Sequence, residues 1–419
     1  MKKLTLVLKL ILRAKFIFKT PKKNDLIIFD KESVIDLNNS LSKFNFFVLQ
    51  TRLENIDEIY FSYKILKKIF KNYFKGNLFT VYLVSLIELI RPRVVITNID
   101  NSFKFSDIAK ILEKKTNFIA IQNAVRQDFL EFDYLYNTKQ IKHNFLKKYY
   151  IPNLFCFGDY ERELYKKLNI IVKNFYPVGN LRCANFLHHI KSENDSNEKY
   201  NSDICLISEY IGDTYLHATS SLGKYVKKKL NDPKLPINIS ITRALVEMVK
   251  YTIKFCIRNN MKLIIPLKRD KKYVPKFYKT EHEFYKKNLD KEEFDFCQKN
   301  FLEKKVDDFS SFRAVLNSKV AVGFTSTLLR DKLATGGKIL AYNLTKQNMF
   351  DFPINGICSL CDSSYEEFEK RLLEIYSISK ENFFSKIDKR PDYVMKFNEN
   401  NSTINLIREK LYQLGVNQN

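Results

Sequence analysis

The sequence contains no tryptophan and only 10 glycines and 10 prolines in 419 residues. This scarcity excludes collagen-like and Gly/Pro-rich low-complexity chains. Hydrophobic residues make up 45% of the chain and aromatic residues 14%, which provides enough material for packed cores and excludes a largely disordered protein. Because 419 residues exceed what one hydrophobic core usually serves, the length predicts two domains.

The sequence also lacks an apolar run of the roughly 18–20 residues that a membrane-spanning helix needs. Its first residues are apolar, but Lys9, Arg13 and Lys15 interrupt them and no small-residue cleavage site follows. This segment predicts either a basic amphipathic anchor on an anionic membrane surface or the first packed element of a domain. In both cases the protein is expected in the cytoplasm, free or peripheral on the inner membrane.

Cysteine and histidine show no spacing typical of a metal site. The seven cysteines are scattered through mostly apolar runs, which predicts buried free thiols in a reducing compartment. Cys358 and Cys361 form a lone C-x-x-C without a second pair, and the five histidines lack ligand spacing. The sequence therefore predicts no metal and no other cofactor.

The formal charge of +24 restricts the classes of partner. Lysines are spread along the chain and no nucleic-acid-binding motif is recognisable, so a nucleic-acid-binding protein is the weaker alternative. The charge favours either an ordinary solvated surface or anionic partners, namely nucleotide sugars and an acidic membrane face.

From residue 25 onward, short β-rich runs alternate with helical patterns, which is typical of a parallel sheet covered by helices. Apolar spacing of three and four residues predicts helices at 58–70 and 78–90. The predicted strands of this first lobe are DLIIFD (25–30), FFVLQ (46–50), RVVITN (93–98), NFIAIQ (117–122) and NLFCFG (153–158).

A polar segment without apolar periodicity, 188–202, predicts an exposed linker between two domains. The first lobe is then 1–187 and the second 203–385, followed by a C-terminal helical region, 386–419, that could cross back to the first lobe. Within the second lobe the predicted strands are 203–210, 261–267, 319–324 and 338–343, and the predicted helices are about 239–259, 310–318, a helix opening at Thr325, and 364–378. A last helix is predicted near 402–414.

The strongest local signal is the turn after the predicted strand KVAVGF. Thr325, Ser326 and Thr327 stand where a helix begins, so backbone N–H groups and hydroxyls there can bind phosphate oxygens. Because ligands of open α/β sheets bind at the carboxyl ends of strands, the turn is expected at the rim of a cleft. The alternative is an ordinary Ser/Thr helix cap.

Three charged residues could bind the same phosphate-containing ligand. Lys268 and Arg269 follow the strand MKLIIPL, where they could neutralise a diphosphate leaving group. Asp331 lies one helical turn beyond Thr327 and could accept hydrogen bonds from a ribose. The alternative is that all three are solvated surface charges.

The string GFTSTLLRDKLATGGKILAYN resembles the nucleotide-sugar-binding turn of bacterial surface-carbohydrate (lipopolysaccharide or capsule) biosynthesis proteins of GT-B fold, which reads G-x-x-S-T-x-x-x-E-A-x-A-x-G-K-x-V. VVITNIDNS, FIAIQNAVRQD, FCFGDYERELYKKL and FYPVGNLR are similar in order and spacing. The chain departs from the pattern at Asp331, Lys332 and Ala124. The resemblance implies an α/β fold of two Rossmann-like lobes facing a central cleft.

The resemblance also implies roles for individual residues. Ser326 and Thr327 would contact the donor phosphates, and Asp331 the ribose. Acceptor-side or catalytic roles are implied near five residues of the first lobe, namely Asp100, Asn101, Gln122, Asn123 and Arg126.

An inverting transfer needs a general base that takes a proton from the acceptor hydroxyl. Asp100 directly follows the apolar run RVVITNI and is the first candidate, and Asp128 is the second. The alternative for Asp100 is a cap of the helix expected near Phe103.

The sequence thus predicts a metal-independent glycosyltransferase that moves a sugar from a nucleotide-activated donor to a glycan or lipid-linked glycan acceptor of a surface polysaccharide or lipopolysaccharide. Because a fold does not fix a reaction, a sugar-nucleotide epimerase and a polyol-phosphate transferase stay as alternatives.

Overall fold

The computed structural model describes residues 13–52, 56–126, 149–168, 170–191, 200–210, 241–270, 275–305, 309–346 and 348–418. These residues form two compact units. The first comprises the described residues of Met1–Ala124, Phe145–Asn185 and Lys396–Asn419, and the second those of Val125–Asn144 and Phe186–Met395. The second candidate base, Asp128, and the first twelve residues lie outside the described ranges.

The first unit is built on a six-stranded parallel sheet of order β3-β2-β5-β6-β7-β8, beside a separate parallel pair, β1-β4. In chain order its strands are β1 (Lys15–Ile17), β2 (Leu26–Phe29), β3 (Phe47–Leu49), β4 (Glu58–Tyr60), β5 (Val94–Thr97), β6 (Asn117–Ile121), β7 (Tyr150–Cys156) and β8 (Ile171–Pro177). Its helices are α1 (Ser33–Leu41), α2 (Tyr63–Asn72), α3 (Leu78–Ile90), α4 (Phe103–Leu112), α5 (Tyr160–Lys167) and the start of α6 (Leu181–Ile190).

Helices cover both faces of this sheet because its central strands are apolar on both sides. Ile27 and Phe29 pack with Leu83 of α3 and Phe105 of α4. The alternating residues of the same strand, represented by Leu26, belong to a second apolar cluster on the other side. A strand buried on both faces reads as a continuous apolar run, which is the pattern that LIIF and VVIT display.

The second unit has the strand order β11-β10-β9-β12-β13-β14, again all parallel. Its strands are β9 (Ser202–Leu206), β10 (Leu263–Asp270), β11 (Phe301–Lys304), β12 (Ser318–Gly323), β13 (Lys338–Asn343) and β14 (Ser359–Cys361). Its helices are α7 (Ile241–Arg258), α8 (Pro275–Asn288), α9 (Lys291–Asn300), α10 (Ser310–Asn317), α11 (Thr327–Ala334), α12 (Tyr365–Ser377) and α13 (Lys380–Ser385). The chain runs outward from β9 in one direction and then from β12 in the other, so the topological switch point of this doubly wound sheet lies between β9 and β12.

The last helix, α14 (Thr403–Gln413), returns to the first unit. Ile404, Ile407 and Leu411 join the second apolar cluster of that unit. Thr403 Oγ1 donates a hydrogen bond of 2.6 Å to the carbonyl of Val178. The first unit is therefore closed by residues from both ends of the described chain.

One helix prediction was wrong at its start. Residues 58–60 form β4 rather than helix, because they pair with β1 in register from Lys15↔Glu58 to Ile17↔Tyr60. The helix begins only after Ser62, whose side chain accepts from the N–H of Ile65. These residues form a strand despite their helical spacing, because they pair with β1, a strand 43 residues earlier in the chain. Local periodicity does not report such a distant partner.

The end of α11 makes a testable packing contact. A Cβ on Gly337 would meet Lys332 Cε at 2.3 Å and Cδ at 2.4 Å, so the missing side chain leaves room for the lysine stem. We expect Gly337→Ala to destabilise the second unit by about 1–3 kcal/mol, the usual cost of overpacking. In the Lys332→Ala background the same change is expected to cost almost nothing, and urea unfolding of the four proteins measures the difference. Equal costs in both backgrounds would contradict this contact.

Candidate functional site

The carboxyl edge of the second sheet gathers polar groups at its switch point. Glu209 follows β9, Phe324 and Thr325 follow β12, and Lys268 lies near the end of β10. Crevices at such switch points are where doubly wound sheets bind their ligands. The turn that the sequence singled out therefore lies at the edge expected of it.

Glu209 is the central group of this edge, and it was missing from the candidates of the sequence analysis. Its carboxylate accepts hydrogen bonds from the backbone N–H of Phe324, from the N–H of Thr325 at 2.8 Å and from Thr325 Oγ1 at 3.0 Å. Glu209 is only 9% exposed. Two backbone donors and one hydroxyl of the turn thus hold a carboxylate of the chain itself, and a contact of Thr325 with a ligand stays a prediction.

The next two residues of the turn, Ser326 and Thr327, differ from Thr325 in the partners of their backbone N–H groups. Ser326 is the N-cap of α11, with φ −64° and ψ 138°, and its Oγ accepts from Leu328 N at 3.3 Å. Thr327 Oγ1 accepts from Val125 N at 3.3 Å. Within the described ranges, the backbone N–H groups of Ser326 and Thr327 have no hydrogen-bond partner, and both residues are half-buried. Two N–H groups at the positive end of a helix dipole are therefore available to an anion.

Burial governs the ionisation of Glu209. It raises the pKa of this carboxyl above its ordinary value of 4.5, against the hydrogen bonds from Phe324 and Thr325 and the charge of Lys268, which lower it. The negative charge facing the turn therefore forms at a higher pH than on an ordinary glutamate.

This shift predicts a pH-dependent stability difference between the wild type and Glu209→Gln. A carboxyl whose pKa is raised on folding stabilises the fold when protonated, so its contribution is complete below pH 4.5 and is lost as the pH rises through the raised value. Urea unfolding at a series of pH values rising from 4.5 should show the wild type losing stability relative to the glutamine variant as the pH increases. A difference that does not vary with pH would contradict the raised pKa.

A second buried carboxylate lies beneath the same edge. Glu281 of α8 is 0% exposed, and its Oε1 accepts from Ser208 Oγ and, at 3.1 Å, from the backbone N–H of Lys268. Ser208 Oγ is also 2.7 Å from the hydroxyl of Tyr285. These bonds fix the loop after β9 and the end of β10, and with them the position of Glu209.

The other predicted donor contacts differ in their surroundings. Lys268 is exposed at the edge, and its charge acts on Glu209. Arg269 lies in β10, and its side chain is outside the described part of the structure. Asp331 is only 1% exposed on α11, and its contact with a ribose stays a prediction.

In the first unit, Asp100 is a buried carboxylate with hydrogen bonds at both oxygens. It is 3% exposed, and its two carboxylate oxygens accept from Tyr165 OH at 2.6 Å and from Asn123 N at 3.4 Å. The cap of α4 is Ser102, which accepts from Phe105 N, so the alternative role of Asp100 as that cap is wrong. This buried carboxylate, bonded at both oxygens, holds the segment after β6 in place, and its role as general base stays a prediction.

The remaining acceptor-side candidates fall into different environments. Gln122 is 1% exposed, donates to Glu161 at 3.0 Å and accepts from Phe157 N at 3.0 Å, which makes it part of the scaffold. Asn101 is exposed, whereas Asn123 and Arg126 are half-buried. Roles for these three residues in acceptor binding stay predictions.

The switch point of the first sheet, between β2 and β5, contains polar residues that sequence analysis missed. Asn98 is 3% exposed, donates to Asp36 Oδ2 at 2.5 Å and has a buried Oδ1 without a hydrogen-bond partner in the described ranges. Asp36 in turn binds Arg182 through both carboxylate oxygens, at 3.0 Å and 2.9 Å. Asn98 directly follows the strand VVIT, and this position in the sequence could have identified it as a candidate. The sequence analysis chose Asp100 from the same stretch instead.

Two searches of the described residues bear on other site classes. No group of three or more His, Cys, Asp or Glu side chains there could hold a metal ion. None of the helices in the described ranges has the length and apolar content to cross a membrane. Metal-independent chemistry and attachment to a membrane both stay predictions.

Comparison with family models and with curated proteins found no match to this sequence. Solved structures are similar in fold. They include S. aureus MnaA in a co-structure with UDP, at 10% identity over 95% of this chain and 98% of that chain, with a TM-score of 0.50. A glycosyltransferase from Rickettsia africae matches at 12% identity over 94% and 98%, with a TM-score of 0.45.

A UDP-GlcNAc 2-epimerase from Methanocaldococcus jannaschii matches at 13% identity over 92% of this chain and 99% of that chain, with a TM-score of 0.44. At such identities the similarity concerns the fold. The predicted fold class is confirmed, since the chain has a GT-B-type α/β fold of two Rossmann-like units.

Proposed function

We propose that this protein is a glycosyltransferase that binds a nucleotide-activated sugar at the carboxyl edge of the second unit's sheet. The acceptor in this proposal is a glycan or lipid-linked glycan of a surface polysaccharide or lipopolysaccharide. The observation that carries the proposal is the pair of open backbone N–H groups at Ser326 and Thr327, located at the switch point of a doubly wound sheet.

A phosphate is the ligand that this geometry favours. The two N–H groups belong to the N-cap and the first residue of α11, where the helix dipole adds positive potential. Lys268 is exposed at the same edge and supplies a full positive charge. Charge-assisted hydrogen bonds from such donors stabilise a nucleotide leaving group as negative charge develops on it.

Glu209 has a positioning role in this proposal. Its carboxylate holds the N–H groups of Phe324 and Thr325, which fixes the turn and leaves the following two N–H groups for the ligand. The carboxylate is within electrostatic reach of Lys268, which limits repulsion between Glu209 and a bound phosphate. Without Glu209 the turn would lose three hydrogen bonds and with them its fixed orientation.

Binding to a panel of nucleotides tests the proposal. We expect one of UDP, GDP, CDP and CMP, or the corresponding sugars, to raise the melting temperature of the full chain. UDP is the first probe, since the MnaA structure of similar fold contains it. Failure of the whole panel to bind would contradict the proposal.

A second experiment identifies the type of reaction. The donor that binds is incubated with the protein in the presence and absence of a glycan acceptor. Consumption of donor only with acceptor, with release of the nucleotide, is the result expected of a glycosyltransferase. Isomerised sugar nucleotide without any acceptor would show an epimerase instead.

A further inference from the structure

The second unit has a pocket at the amino edge of its sheet, the edge opposite Glu209. Its volume is ≈ 400 Å³, and it lies where β12 and β13 begin and α12 ends. Four lysines line it, namely Lys319, Lys332, Lys338 and Lys380. Nothing in the proposed glycosyl transfer uses these residues.

The ammonium groups are held in place but keep unused donors. Lys332 donates to the carbonyls of Leu316 at 2.8 Å and Ser318 at 2.6 Å. Lys338 similarly donates to two carbonyls, those of Tyr376 and Ile378. An ammonium has three N–H donors, so each of these two keeps one. Lys380 lines the pocket, and its ammonium group has no hydrogen-bond or ion-pair partner among the described residues.

The charges of the pocket repel one another. Burial, together with the charges of Lys380 and Lys338, lowers the pKa of Lys332 to about 8. Burial and the charges of Lys319 and Lys380 also lower the pKa of Lys338. Outside the lining, Asp203 pairs with Lys319 at 2.9 Å, and Glu381 interacts electrostatically with Lys380. The described residues that line the pocket include four lysines and no carboxylate, so an anion in the pocket would relieve the repulsion.

One of the four lysines is constrained by packing. The stem of Lys332, which is only 5% exposed, passes directly over Gly337, where any larger residue would collide with it. The amine of this buried side chain is thereby held at the pocket wall.

We propose that the pocket lined by Lys319, Lys332, Lys338 and Lys380 is a second ligand site, which binds a small soluble molecule carrying at least two phosphate charges. The free ammonium donors supply charge-assisted hydrogen bonds, and the volume accommodates a diphosphate or a small phosphorylated metabolite. The site is independent of the proposed nucleotide site, because it lies at the other edge of the sheet.

Calorimetric titration of the full-length protein with inorganic diphosphate tests this site. Lys380→Met removes an exposed ammonium and Lys332→Met a buried one. Each is expected to weaken the Kd for diphosphate by about tenfold or more, as expected for the loss of a charge-assisted hydrogen bond. Lys380→Met decides the matter if Lys332→Met does not fold.

One control separates the pocket from general basicity. The double variant Lys291→Met/Lys299→Met removes two exposed charges of α9 outside the pocket. It is expected to retain the wild-type Kd within about twofold, because it loses no charge-assisted bond in the pocket. The proposal is overturned if the wild type binds no diphosphate, if the pocket variants match the wild type, or if the control loses as much affinity as they do.

Discussion

Thr327→Pro is expected to weaken nucleotide binding by about 10–100-fold while the second unit stays folded, since a hydrogen bond to a charged group is worth about 1.5–3 kcal/mol. Thr327 is the first residue of α11, the position where proline fits a helix best. Ser326 has ψ 138°, which is the extended conformation that a residue before proline requires. The substitution therefore removes one backbone N–H donor with little change to the helix.

Thr327→Ala is the matched control. It removes the hydroxyl that accepts from Val125 N but keeps the backbone N–H. Calorimetry with the nucleotide that binds best should place the alanine variant between the wild type and the proline variant. Circular dichroism and urea unfolding establish that both variants are folded. Equal affinity of the alanine and proline variants would show that the N–H of Thr327 does not bind the ligand.

Gly179→Ala is expected to destabilise the first unit by about 3 kcal/mol or more, the sum of a left-handed backbone and an overpacked contact. Gly179 has φ +88°, and a Cβ there would lie 2.1 Å from the carbonyl oxygen of Lys396. That carbonyl belongs to the segment leading to α14, and the N–H of the same lysine is bonded to Phe157 O at 2.7 Å. Neither backbone can move without breaking the closure of the unit.

Gly415→Ala separates the two causes. Gly415 also has a positive φ, of +76°, but its added Cβ would meet only Arg93 Nη1, the end of a flexible side chain that is 53% exposed. Its expected cost is therefore about 1–2 kcal/mol, the cost of the left-handed backbone alone. Denaturant unfolding measures both variants. If Gly179→Ala costs no more than Gly415→Ala, the contact with Lys396 has no energetic weight.

The sequence predicted those parts of the fold whose signal is local. LIIF, VVIT and KILAYN are buried, continuous apolar runs, and each forms a strand within a residue or two of its predicted bounds. The strands β8, β11 and β14 were not predicted, because they are edge strands that bury little and lack that pattern. Edge strands are defined by pairing partners that only the folded sheet supplies.

In the candidate site, too, the sequence predicted the features with a local signal and missed those that depend on distant contacts. The helix start at Ser326 was predictable, because a capping residue and the helix it caps are adjacent in sequence. Glu209 was not, since it lies 115 residues before Phe324 and reaches the turn only through the pairing of β9 with β12. The burial of Asp331 and the two hydrogen bonds of Asp100 likewise depend on contacts distant in sequence. Residue types in the sequence therefore indicated the positions of polar groups, whereas the burial of those groups depends on the folded structure.

A crystal structure of the protein with UDP, or with whichever nucleotide of the panel binds best, is the most direct test of the proposed site. It should place a phosphate oxygen about 3 Å from the backbone nitrogens of Ser326 and Thr327, the ordinary length of an N–H···O hydrogen bond. The carboxylate of Glu209 should still hold Phe324 and Thr325. A nucleotide bound elsewhere, with neither nitrogen in contact with a phosphate, would contradict the account.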